Sequence, residues 1–175
     1  PSVIKMSPSF GSAAGATISK LIVDENFGGT KKCRYGNQIV DATIFGSDGN
    51  DDGSVECVSP PGHGRRAVSI STDGVVFSSP LPYAFLGTAF VTGVYPNKAP
   101  ATGGTEIRLR GMNFTNSRTL SCKFGNVMVH AKWHSSYEIR CLTPRHVPST
   151  VLVEMSNNGI DTTVSGHQFT FYANL

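Results

Sequence analysis

The stretch Cys122–Asn126, CKFGN, has a near copy at Cys33–Asn37, CRYGN, and reading outward from the two recovers most of the chain twice. Upstream of the second copy stand Pro96, Gly103, Gly104, Thr105, an alternating run and the pair Asn113 and Phe114. Upstream of the first stand Pro8, Gly15, Thr17 and the pair Asn26 and Phe27. Downstream, Ile139, Cys141, Pro144, Val153, Met155, Ser156, Gly159 and the closing aromatics Phe169, Phe171 and Tyr172 answer Val55, Cys57, Pro60, Val68, Ile70, Ser71, Gly74, Tyr83 and Phe85. The matched prolines lie 88 residues apart, the first cysteines 89, the second cysteines 84 and the glycines after them 85, a drift that small loop insertions explain. A period this long suits a whole small domain better than a solenoid unit. The sequence therefore predicts two tandem domains, 1–87 and 88–175, meeting near Gly87 and Thr88.

With 19 Gly and 10 Pro in 175 residues, few uninterrupted runs reach the length of a typical helix, and the chain reads as all-β. The net charge of +3 and a charged fraction of 15% include no basic block of the kind that tracks a phosphate backbone. No stretch approaches the ~18 apolar residues of a membrane span, so no direct membrane contact is expected of it. The first residues, PSVIKMSPSF, lack the regions of a signal peptide, and the sequence reads as a segment of a longer chain.

Taken in order, Val3 to Pro8 and Thr17 to Val23 read as strands around a Gly-rich turn. Cys33 to Gly36 and Ile39 to Phe45 follow, before an acidic turn, GSDGNDDGS. Ala67 to Ser71 alternates with Val68 and Ile70 on one face, Asp73-Gly74 predicts a hairpin turn, and Val75 to Phe85 closes the first domain. In the second, Thr105 to Arg110 alternates, with Ile107 and Leu109 inward and Glu106, Arg108 and Arg110 outward. Val151, Val153 and Met155 share a face, and Asn158-Gly159 predicts the matching hairpin turn. Short strands with frequent turn signals imply antiparallel sandwiches, and the short junction implies domains packed end to end as a semi-rigid rod.

The order Pro, Gly-Gly-Thr, alternating strand, Asn-Phe, Cys-x-aromatic-Gly, Cys-x-x-Pro, Ser-x-x-Gly and aromatic end resembles IPT/TIG domains, in both halves. The resemblance implies two immunoglobulin-like (E-set type) β-sandwiches of the kind found in plexins, in fibrocystin-like and protist cell-surface receptors, and, without the cysteines, in certain transcription factors. The first copy departs from the pattern, with Gly15-Ala16-Thr17 for Gly-Gly-Thr and Glu25 in place of Gly111. The regular placement of one cysteine pair per repeat argues for Cys33 with Cys57 and Cys122 with Cys141. This alone of three connectivities keeps each link within one domain, and it implies an oxidising compartment. The alternatives are four reduced core thiols or a zinc site, against which stand the absence of C-x-x-C and the scatter of the histidines.

Several residues stand out as candidate sites. Asn113-Phe114-Thr115 is the one N-x-[ST] sequon, a glycan acceptor in a secreted protein, although the Asn-Phe pair at Asn26 recurs without a sequon and points to a turn role. Asp48, Asn50, Asp52, Gly53 and Glu56 space oxygen ligands as a calcium loop would, and a solvated acidic turn is the plainer reading, so no metal or cofactor is assigned. Gly62-His63-Gly64-Arg65-Arg66-Ala67 echoes a dinucleotide fingerprint without its strand–helix context and reads instead as a basic hairpin tip. His130 and His134, four apart, lack a third ligand at metal spacing, and Trp133 between them reads as covering a sandwich edge. No nucleophile elbow, catalytic carboxylate pair or phosphate loop is present, so no enzyme is expected.

These readings converge on a non-enzymatic extracellular binding, adhesion or spacer module, part of the ectodomain of a membrane-anchored or secreted parent. Its expected partners are a protein and the neighbouring domains, with no nucleic acid. The alternative is a nucleic-acid-binding TIG domain pair using Lys31, Lys32, Arg34, Arg65 and Arg66. A third reading, an accessory domain of a polysaccharide-acting enzyme, calls for exposed aromatic platforms, and the chain has one Trp.

Overall fold

The computed structural model describes residues 3–24, 31–44 and 54–174; Asn26, Phe27, Asp48, Asn50, Asp52 and Gly53 lie outside the described residues. The chain divides into two compact units, Pro1–Gly87 and Thr88–Leu175. Every described regular element is a strand, so no helix long and apolar enough to cross a membrane occurs among the described residues.

The first unit holds β1 (Val3–Ser7), β2 (Phe10–Ser12), β3 (Ile18–Val23), β4 (Lys32–Tyr35), β5 (Gln38–Ile44), β6 (Ser54–Val58), β7 (Gly64–Ser71) and β8 (Leu81–Leu86). The second holds β9 (Phe90–Tyr95), β10 (Lys98–Pro100), β11 (Glu106–Met112), β12 (Ser121–Phe124), β13 (Val127–Ser135), β14 (Glu138–Leu142), β15 (Ser149–Ser156) and β16 (His167–Tyr172). Strand order is β1-β3-β6-β5-β4-β7-β8-β2 in one and β9-β11-β14-β13-β12-β15-β16-β10 in the other, the same path strand for strand.

One long strand in each unit joins two layers. β13 pairs with β12 through Val127–His130 and with β14 from Ala131 onward; β5 does the same with β4 and then β6. The continuous ribbon thus folds over into a sandwich, and the apolar faces meet inside. Alternation decides which residues face in. In β3 Ser19, Leu21 and Val23 are buried while Ile18, Lys20 and Ile22 are exposed, and in β11 Ile107, Leu109 and Gly111 are buried while the charged residues between them face solvent. A trio of aromatic rings centres each core. Tyr35, Tyr83 and Phe85 meet at centroid distances of 5.0 to 6.3 Å, and Phe124, Phe169 and Phe171 at 5.0 to 5.8 Å, in the tilted and edge-to-face arrangements that aromatic quadrupoles favour.

The Gly-x-Thr turns have a steric reason. Gly15 and Gly103 take φ of +82° and +80°, and a Cβ on either would come within 2.7 Å of the backbone at Pro60–Pro61 or Pro144–Arg145. The next residue is also left-handed, Gly104 in one unit and Ala16, at φ +65°, in the other. Two expectations change in detail. Asp73-Gly74 and Asn158-Gly159 are not two-residue hairpin turns, because the connections between β7 and β8 and between β15 and β16 span residues 72–80 and 157–166. Each instead opens a longer loop. The Asp73 carboxylate accepts from the amides of Val75 and Val76 and from the Ser71 hydroxyl, and Asn158 Oδ1 accepts from the amides of Ile160 and Asp161 and from the Ser156 hydroxyl.

Candidate functional site

β4 and β6 lie in opposite layers of the first sandwich, and Cys33 and Cys57 stand on their inner faces, fully buried. The structure joins them, with Cα atoms 6.1 Å apart. β12 and β14 hold the matching positions in the second sandwich, where Cys122 and Cys141 are joined across 6.4 Å. No described cysteine is free. Each bond ties the two layers through the buried core of its unit.

The two cores differ in polarity at their centres. Where the second has Phe124 and Phe169, the first has Tyr35 and Tyr83, with Thr17 and Ser19 also fully buried beside β3. Burial pushes the Tyr35 phenol well above its ordinary range, the neighbouring Tyr83 adds to the shift, and the Ser19 hydroxyl offsets only part of it. A cavity of about 190 Å³ opens over this side of the first unit, lined by Tyr35, Gln38, Pro60, Arg66 and Phe85 among others. At the matching place in the second unit the His146 ring stacks on Phe171 at 4.7 Å, whereas the first unit has Gly62. The amides of both residues donate to matched carbonyls, Gly62 to Ala13 and His146 to Ala101.

Asn113 is exposed and left-handed, at φ +60°. Its Nδ2 donates to the Thr88 carbonyl at 2.8 Å, and its own carbonyl accepts from Asn157 Nδ2. The turn role and the sequon therefore coincide at one residue, since Asn tolerates this conformation better than most side chains. Trp133 is 37% exposed, and its ring nitrogen donates to the Phe114 carbonyl, so it covers the sandwich next to the sequon. His130 and His134 are both exposed on β13, which ends at Ser135 and is followed by the turn at Ser136 and Tyr137. Among the described residues no group of three or more His, Cys, Asp or Glu is placed to hold a metal. Glu56 sits within β6, opposite Lys20 and Thr43. The rest of the acidic loop lies outside the described residues.

The basic residues are dispersed. Lys31 is buried, Lys32 is paired with Asp41, and the Arg34 guanidinium lies 4.1 Å from the centre of the Phe77 ring. Arg65 and Arg66 are exposed at the start of β7. In the second unit, Arg140 meets Glu138 at 3.1 Å and Glu106 at 3.7 Å, and Arg110 meets Glu138 at 3.5 Å. Desolvation raises the Glu138 carboxyl, but the hydrogen bond and charge of Arg140, with His134 and Arg108 adding, outweigh it and hold the group below its ordinary value.

Residues 89–171 match the IPT/TIG domain family model. The second unit is an IPT/TIG domain. The first unit shares the strand order, the disulfide position and the aromatic trio of this IPT/TIG domain, and together the two are tandem immunoglobulin-like sandwiches. Two solved structures of the plexin A4 extracellular region resemble nearly the whole chain. One covers 97% of it at 19% identity and a TM-score of 0.51, and the other 98% at 17% and 0.56. The chain spans 18% and 15% of those structures. A stretch of 77 residues is 31% identical to the probable serine/threonine-protein kinase drkC of Dictyostelium discoideum, covering 39% of this chain and 10% of that protein.

Proposed function

We propose that this chain is a non-enzymatic extracellular binding, adhesion or spacer module, with 1–87 and 88–175 as its two IPT/TIG domains, within the ectodomain of a larger membrane-anchored or secreted protein. The observation that carries the reading is the matched pair of disulfides, one clamping the two layers of each sandwich. Such bonds persist in oxidising compartments and are rare in the cytosol. The fold is one that plexin A4 carries in its extracellular region, and the compartment is read from the cysteines of this chain itself. The partner is a protein or a neighbouring domain meeting a rigid surface, so that little ordering entropy is lost on binding.

The decisive experiment is alkylation of the non-reduced protein, followed by intact mass and peptide mapping. The reading requires Cys33 linked to Cys57 and Cys122 to Cys141, with no label taken up. Four labelled thiols would overturn it and return the nucleic-acid alternative to first place. Against that alternative stand three of its five basic residues, Lys31 buried, Lys32 paired and Arg34 stacked.

The same compartment makes Asn113 a glycan acceptor. Expressed in a secretory host, the wild-type chain should carry a glycan that Thr115→Ala removes without altering the Asn113 turn. A mass identical in the two, apart from the substitution, would assign Asn113 to the turn alone.

A further inference from the structure

The outer face of the layer β9-β11-β14-β13 carries a row of side chains that the strand register sets directly opposite one another. Tyr95 stands opposite Arg108, Arg108 opposite Arg140, and Arg140 opposite Lys132. Three cations are thus lined up across three adjacent strands, at a spacing of about 4.7 to 4.9 Å per strand. Like charges placed directly opposite destabilise a sheet. Arg110 adds a fourth cation on β11, and the carboxylates on this face, Glu106 and Glu138, are engaged by Arg140 and Arg110. Four cations against two carboxylates leave the face positive.

The first unit supplies an internal control. Its matched row reads Ser7 opposite Lys20, Lys20 opposite Glu56, and Glu56 opposite Thr43, so a single cation faces a carboxylate and the row is neutral. The two units share strand order, layer-tying disulfide and core plan, which means the sandwich has no need of the cations. Their excess in the second unit costs folding stability there, and a bound anion would recover it.

We propose that this face of the second unit binds a linear sulfated polysaccharide. A flat outer sheet face encloses nothing, so it reads a line of charge and suits a polymer whose anionic groups recur along its length. The Arg108 guanidinium, which takes part in none of these three ion pairs, can meet sulfate oxygens through two parallel hydrogen bonds, and Tyr95, 53% exposed at the end of the row with the Arg110 guanidinium 5.9 Å from its ring centre, adds an aromatic edge for a sugar to lie against. The choice of polysaccharide over nucleic acid rests on the extracellular reading above.

The test uses the whole chain with heparin as the probe, by affinity-column elution and titration calorimetry at low salt and at ~0.15 M, where charges beyond ~8 Å are screened. Binding should be firm at low salt and fall as salt rises. Replacing two cations in Arg108→Gln with Lys132→Thr should weaken it about tenfold or more, the worth of a few exposed ion pairs, and Arg140→Glu, the residue type of the first unit, should abolish it. Lys20→Gln in the neutral row should change nothing. Should Arg140→Glu fail to fold, the double variant, which breaks none of the three ion pairs, carries the test. The proposal is overturned if heparin is not retained at low salt, if the double variant binds as wild type does, or if single-stranded DNA of equal charge binds as tightly as heparin. Labelled thiols in the mapping experiment would sink the compartment reading separately, whatever heparin does.

Discussion

Removing the disulfide of one sandwich should lower the stability of that sandwich and leave the other where it was. In the second unit the bond between Cys122 and Cys141 closes a loop with a sequence separation of 19. The chain-entropy relation then gives about 3 kcal/mol of stabilisation at 25 °C, acting through the unfolded state. Cys122→Ala with Cys141→Ala also empties space in the core, since both residues are buried among Phe124, Ile139 and Met155, adding on the order of 1 kcal/mol per side chain. Of the ~5 to 15 kcal/mol that holds a domain together, the double variant forfeits about 4 to 5, whereas reduction of the wild-type bond alone forfeits about 3. In a domain of this size each kcal/mol moves the melting temperature by roughly 4 to 8 °C, so reduction should lower it by about 12 to 24 °C. The assay is calorimetry of the non-reduced wild type, the reduced wild type and the double alanine variant. Two transitions are expected, one of which stays fixed in the alanine variant because Cys33–Cys57 is intact. Movement of both transitions in that variant would refute the treatment of the units as separately folding. A shift worth less than about 1 kcal/mol would refute the loop-entropy estimate.

Tyr35→Phe should remove an alkaline sensitivity. The phenol is held protonated in the folded state above its ordinary value of 10.0, so its contribution is intact below that pH. Above it the unfolded chain loses the proton first, and stability falls by ~1.4 kcal/mol per pH unit through this one group. Urea melts at a series of pH values from 8 upward (about neutral to alkaline) should show wild type declining more steeply than the variant, and parallel curves would contradict the assignment. Glu154→Ala should cost about 2 to 4 kcal/mol, because the buried carboxylate accepts from the amides of Ser165 and Gly166 and from the Thr163 hydroxyl. Urea denaturation checks the magnitude, and faster hydrogen exchange at those two amides checks the location. Ala16→Gly should raise the stability of the first unit by up to ~1 kcal/mol, since Ala16 occupies a left-handed conformation that Gly104 fills in the second; an unchanged or lowered melting temperature would count against that strain.

How much could be read without coordinates depended on the range of the interaction involved. The CRYGN and CKFGN stretches, with alternation in β3 and β11, pointed to the inward faces because side-chain direction along a strand is a local property with a period of two. The left-handed turns at Gly15 and Gly103 left the same kind of local mark. Other features lay beyond that range. Asp73-Gly74 looked like a tight hairpin, yet its loop is set by hydrogen bonds back to Ser71 and by where β8 can pair. Lys31, Lys32 and Arg34 looked like available charge until Asp41, Phe77 and the core absorbed them.

The sequence by itself determined the repeat, the all-β class and the outward placement of Glu106, Arg108 and Arg110, because each is written in spacing along the chain. Only the tertiary structure decided that Tyr95, Arg108, Arg140 and Lys132, drawn from four strands, stand in one row while Ser7, Lys20, Glu56 and Thr43 stand in another. Cross-strand register is the reason: it is settled by the packing of the whole sandwich, and it places side by side residues that no local pattern connects.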